Sequence, residues 1–151
     1  MFTRPIHVAI LDDDPSCRTA LTRFLKAQGM VVDTYATGGQ FFDALALERQ
    51  DCLLLDFEMP AMSGVDVLKH LGRLKIRIPT IILSAHDDVA SRKSCQDAGA
   101  MEYLCKPVNA DRLLHAVERI GNIQPENCAA QPMLPFRHRG RTADRFQILR
   151  P

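Results

Sequence analysis

Short apolar runs rich in β-branched residues recur along the chain at 6–11, 31–35, 52–55, 80–83 and 101–105. Each is too short for an ordinary helix and predicts a β-strand. Between them the apolar positions switch to helical spacing. The clearest stretch places Cys17, Leu21, Phe24, Leu25 and Gln28 along one face and stops at Gly29, a residue suited to the left-handed turn that ends many helices. Similar spacing predicts helices near 39–48, 65–74, 88–98 and 110–120.

Five strand–helix repeats predict an α/β domain built on a five-stranded parallel sheet. Each right-handed crossover helix must bury its apolar stripe against the sheet, so helices cover both faces. The second strand is the most polar and belongs outermost. In an open sheet of this kind the strand order reverses once, and ligands bind beyond the carboxyl ends of the strands near that reversal. Several polar residues have simple local roles at helix starts. Asp14 before Pro15 reads as an N-cap and a first-turn proline, while Asp87 with Asp88, and Asn109 with Asp111, mark the starts of the fourth and fifth helices.

Four other polar clusters gather on the carboxyl rim. The first strand leads into Asp12 and Asp13, the third into Asp56-Phe57-Glu58-Met59-Pro60, the fourth into Ser84-Ala85 and the fifth into Lys106-Pro107. Converging carboxylates raise one another's pKa unless a cation lies between them, and hard oxygen donors suit Mg²⁺. That ion keeps several waters and usually shares one or two carboxylates with a phosphate, so the cluster suits phosphoryl transfer. Asp56 is the candidate attacking carboxylate. Ser84 and Lys106, from neighbouring strands, are placed to stabilise charge on the equatorial oxygens.

In order and separation, Asp12 and Asp13, the Asp56 to Pro60 segment leading to Ser63-Gly64, Ser84-Ala85 and Lys106-Pro107 resemble the receiver domain of two-component response regulators, the CheY-like superfamily. The resemblance covers residues 6–120 and lies nearest the receivers of DNA-binding regulators. It implies a flavodoxin-like, doubly wound (βα)5 fold with strand order 2-1-3-4-5. It further implies that Asp56 is the phosphoacceptor, that Asp12, Asp13, Asp56 and the backbone carbonyl of Glu58 hold Mg²⁺, and that Ser84 and Lys106 contact the phosphoryl group. Tyr103, three positions before the lysine, would turn inward as Ser84 moves toward the phosphate, making the two a switch pair. A cis bond before Pro107 is implied as well, and the side chains of Glu58 and His86 lie where such receivers tune the access of attacking water. Ser84 departs from the more frequent threonine. The implied partners are a sensor histidine kinase or phosphotransfer protein, and a second copy or downstream protein on the face of the fourth helix, fifth strand and fifth helix.

Charge and composition alter this picture only at the C-terminus. A net charge of +1 gives no case for bulk binding to nucleic acid or membrane. Residues 121–151, by contrast, carry five arginines against Glu126 and Asp144, together with Pro125, Pro132, Pro135 and Gly140. This predicts a flexible tail after a receiver domain at 1–120. It lacks the amphipathic helices of a helix-turn-helix output domain, so sequence-specific DNA binding is not expected. The cysteines Cys17, Cys52, Cys95, Cys105 and Cys128 have no metal-ligand spacing and fit a reducing cytoplasm. No apolar run approaches the roughly 20 residues of a membrane-spanning helix. A cytoplasmic signalling phosphoacceptor, acting on no substrate but itself, is the resulting expectation.

Three other readings compete. Asp12-x-Asp14-x-Ser16 is similar to the nucleophile motif of haloacid-dehalogenase phosphatases, which would make Asp12 the nucleophile. That class expects an acidic pair after the lysine, whereas Asp87 and Asp88 precede Lys106. The chain would alternatively be the receiver portion of a longer helix-turn-helix regulator, or a receiver that binds partners without taking phosphate. Intact Asp12, Asp13, Asp56, Ser84 and Lys106 argue against the last.

Overall fold

The computed structural model describes residues 4–47 and 49–121 and the backbone of residues 147–149. Strands β1 (His7–Leu11), β2 (Val31–Tyr35), β3 (Cys52–Asp56), β4 (Thr80–Ser84) and β5 (Glu102–Cys105) alternate with helices α1 (Pro15–Ala27), α2 (Gly38–Leu45), α3 (Gly64–Arg73), α4 (Val89–Ala98) and α5 (Ala110–Gly121). The strands pair in parallel in the order β2-β1-β3-β4-β5. The expected edge position of the polar second strand and the single reversal at β1 are both present.

Alternate strand residues feed two cores. Val8, Ile10, Cys52, Leu54, Ile81 and Leu83 meet Leu21 and Leu25 of α1 and Leu113, Val117 and Ile120 of α5. On the opposite face, Ala9, Leu11, Leu53, Leu55 and Ile82 meet Phe41 of α2, Val67, Leu68 and Leu71 of α3 and Cys95 of α4. All five positions of β3 and of β4 are buried, which is why these strands read as unbroken apolar runs rather than alternating ones.

The helix starts follow the expected chemistry. The Asp14 carboxylate accepts from the Ser16 amide at 2.9 Å, and Pro15 occupies the first turn. Asp88 accepts from the Ser91 amide at 2.7 Å, and Asn109 from the Arg112 amide at 3.0 Å. Asp87 differs, because its carboxylate pairs with Arg92 instead of capping. At α3, Ser63 and Asp66 form a reciprocal capping box. Helix α2 ends at Leu45, short of the expected 48, for Leu47 is apolar but 85% exposed and has no core to face.

A short antiparallel pair joins β6 (Val108–Asn109) to β7 (Gln147–Leu149), alongside α1 and α5. The sequence carries no sustained strand period there. Three residues are too few to show a period, and the pairing depends on backbone partners far away in sequence, Val108 with Leu149 and Asn109 with Gln147. The remainder of the expected tail, 122–146 and 150–151 with Cys128 among them, lies outside the described residues. Among the described residues no helix is long and apolar enough to cross a membrane.

Candidate phosphoryl-transfer site

The carboxyl ends of β1, β3 and β5 place four charged side chains together. Asp12 follows β1, Asp56 ends β3 and Lys106 follows β5, with Asp13 at the rim. Ligand oxygens of Asp12, Asp13 and Asp56 lie within 4.8 Å of one another. Asp12 is 1% and Asp56 6% exposed, so water screens their repulsion poorly. The Lys106 ammonium reaches between them, 3.1 Å from Asp56 Oδ1 and 3.3 Å from Asp12 Oδ2.

These neighbours shift the protonation equilibria. Burial and the Asp12 charge push Asp56 up to about 7, against the opposing pull of Lys106. Burial alone would lower Lys106, but Asp12 and Asp56 hold it up at about 12. One ammonium therefore serves two buried carboxylates and leaves the cluster short of positive charge. Three hard oxygen donors at this spacing, one of them raised by burial and repulsion, fit a divalent cation such as Mg²⁺.

Local sequence fixes the geometry. Asp12 Oδ1 accepts from the Asp14 amide at 2.9 Å, so the Asp-rich turn orients its own first carboxylate. Behind Asp56, the Gly64 amide donates to the Phe57 carbonyl at 3.0 Å. A Cβ on Gly64 would stand 2.8 Å from the Asp56 carbonyl oxygen, so only glycine lets α3 start this close to the end of β3. Strand β4 contributes Ser84, whose carbonyl accepts from the Lys106 amide at 2.7 Å, joining the two strand ends.

The expected switch residues are also together. Ser84 is 1% exposed, and its hydroxyl accepts from the His86 amide at 2.9 Å. Tyr103 points inward, 3% exposed, and donates to the His86 carbonyl at 2.6 Å. Glu58 sits two residues beyond Asp56, and its side chain pairs with half-exposed His86 across the rim. The Lys106–Pro107 bond is cis, as the resemblance implied. Cys17, Cys52 and Cys95 are buried and Cys105 half-buried, all as free thiols.

Three contacts at the site escaped the sequence reading. Arg18 of α1 donates to the Asp12 carbonyl at 2.6 Å. Cys17 abuts the Asp12 carboxylate, and burial together with that carboxylate pushes its thiol up to about 12, so it acts as a quiet donor. Arg92 lies over the Tyr103 ring, 4.8 Å from its centroid.

Known proteins resemble the chain in sequence and in fold. A family model described as response regulator receiver domain matches residues 8–118. The DNA-binding transcriptional regulator NtrC of Escherichia coli is 38% identical over 112 residues, 74% of this chain and 24% of NtrC. Response regulator protein TodT of Pseudomonas putida is 31% identical over 132 residues, 87% of this chain and 58% of TodT. The crystal structure of a response regulator receiver protein from Burkholderia phymatum matches with a TM-score of 0.70 at 35% identity, covering 79% of this chain and 97% of that one. The chain thus spans about a quarter of NtrC and less than two thirds of TodT.

Proposed function

The chain belongs to the response regulator receiver domain family, and on that premise we propose that it takes a phosphoryl group onto Asp56 in a Mg²⁺-dependent reaction. The donor is a sensor histidine kinase or phosphotransfer protein. The observation that carries this reading is the Lys106 ammonium set between Asp56 Oδ1 and Asp12 Oδ2 beside a three-carboxylate cluster.

In the reaction an Asp56 oxygen attacks phosphorus, the bond from phosphorus to the donor nitrogen breaks, and an acyl phosphate forms on Asp56. Asp12, Asp13 and Asp56, with the Glu58 carbonyl, would hold Mg²⁺, which when bound supplies positive charge to the phosphoryl oxygens. Lys106 supplies a further positive charge beside Asp56, and Ser84 offers a hydroxyl donor once it leaves the His86 amide. Ser84 and Tyr103 then act as the switch pair that alters the face of α4, β5 and α5, where a second copy or a downstream protein binds. Glu58 and His86, paired across the rim, tune the entry of attacking water. Catalysis is confined to the chain's own phosphorylation and dephosphorylation, in the cytoplasm, within a receiver unit at 1–120.

Intact mass after incubation with acetyl phosphate tests the proposal. Wild type gains one phosphoryl mass only with Mg²⁺, Asp56→Asn gains none, and Lys106→Met gains it at least tenfold more slowly. Equal gain by wild type and Asp56→Asn would refute the assignment.

A second reading draws on the coverage of NtrC, whose matched portion is 24% of its length. On that reading the chain is the receiver portion of a longer regulator with a helix-turn-helix output. An immunoblot of the native polypeptide tests it by length.

A further inference from the structure

Helix α4 has one long charged side chain that turns back into the fold. The Arg92 side chain is 17% exposed, whereas its neighbour Lys93 is 72% exposed. Arg92 Nε and Nη2 both donate to Asp87 Oδ1, at 2.8 and 2.5 Å, and Nη2 lies 3.5 Å from Cys105 Sγ. Its guanidinium carbon stands 4.8 Å from the centroid of the Tyr103 ring. That ring also packs edge-on with Phe57 at 6.5 Å and is held at its hydroxyl by the His86 carbonyl.

A guanidinium above an aromatic face is attracted by the ring quadrupole, and more so when water is excluded. Asp87 fixes where the guanidinium lies, and the planar fork lets Arg92 meet the carboxylate and the ring at once. We propose that Arg92 is a positioning residue that clamps Tyr103 in its inward rotamer and thereby ties α4 to β5. The inference rests on the reading of Ser84 and Tyr103 as a switch pair and adds what holds the ring once it is inward. Outward swing of Tyr103 breaks its contact with Arg92, so the ring and the helix change state together. Phosphorylation at Asp56 then acts on an equilibrium that Arg92 has already biased inward.

The test uses the full chain labelled with fluorotyrosine and read by fluorine NMR. Its two tyrosines are Tyr35 and Tyr103, and Tyr35→Phe assigns the Tyr103 signal. Wild type gives one narrow Tyr103 resonance without phosphoryl donor. Arg92→Ala adds a second Tyr103 resonance, reflecting a roughly tenfold gain in the outward ring, the order that loss of a partly desolvated cation–π contact supports. Arg92→Lys keeps the charge without the fork and falls between the two. Loss of the neighbouring charge alone, or a purely structural role, would leave a single Tyr103 resonance, offset in position or not.

A single Tyr103 resonance in folded Arg92→Ala overturns the clamp, as does equal splitting of the Tyr35 signal. Should Arg92→Ala fail to fold, Arg92→Lys carries the same comparison. Beryllofluoride with Mg²⁺, a phosphoryl mimic, separates the two readings. If it leaves Tyr103 unmoved in every variant while Arg92→Ala splits it, the clamp stands and the switch reading fails.

Discussion

Individual residues show where charge helps the fold and where it opposes it. Asp51 accepts two hydrogen bonds from the Arg4 guanidinium at 2.7 Å and one from the His7 amide at 2.9 Å. Burial opposes its charge, but these partners win and hold its pKa below the ordinary carboxylate range. A depressed folded-state pKa gives stability that is present above the unfolded value and lost as pH falls through the folded one. Urea titrations of wild type and Asp51→Asn are therefore expected to differ by about 1–3 kcal/mol near neutral pH and to converge below pH ~3. At Asp12, Asp13 and Asp56 the balance runs the other way, since three carboxylates share one lysine. Saturating Mg²⁺ should raise the melting temperature of wild type by a few degrees, about 1.4 kcal/mol at a tenfold excess over Kd. Asp12→Asn and Asp13→Asn should lose most of that rise in a thermal scan, and an equal rise in all three proteins would contradict the proposed ion site. The acidic pair, Asp56, Ser84 and Lys106 were legible because each stands at a strand end in a fixed order. Arg92 was not, since a charged residue on a helix reads as a solvated one until the ring beside it is seen.

At the scale of elements, burial pattern decided what could be read. The central strands β3 and β4 are buried on both sides and gave unmistakable apolar runs, and the caps at Asp14, Asp88 and Asn109 follow from short-range chemistry alone. The end of α2 was harder, because Leu47 continues the apolar spacing while facing solvent. Gly64 illustrates a constraint that belongs to the junction of two elements. An added Cβ meets the Asp56 carbonyl at 2.8 Å, so Gly64→Ala must displace either α3 or the end of β3. We expect a loss of about 1–3 kcal/mol in chemical denaturation. Phosphorylation by acetyl phosphate should slow as well, on the order of tenfold or more, because Asp56 is moved relative to Lys106. Retention of the wild-type rate would show that the junction tolerates the methyl group.

Across the whole molecule the fold separates stability from chemistry. Two cores flank one sheet, and the polar site occupies only the carboxyl rim, so a core truncation should weaken the fold without altering the reaction. Leu54→Ala, beneath α1 and α5, is expected to cost about 2–5 kcal/mol by urea titration. Below the transition the rate of phosphorylation should stay within about twofold of wild type. The pairing of β7 with β6 was not foreseeable, because backbone partners far apart in sequence leave no local signature in three residues. The measurement closest to the central claim is chemical trapping of the acyl phosphate. Borohydride reduces an aspartyl phosphate to homoserine, and peptide fragment masses locate the converted residue. The account predicts homoserine at position 56 alone, formed only after incubation with phosphodonor and Mg²⁺. Homoserine at position 12, or none at any aspartate, would contradict it.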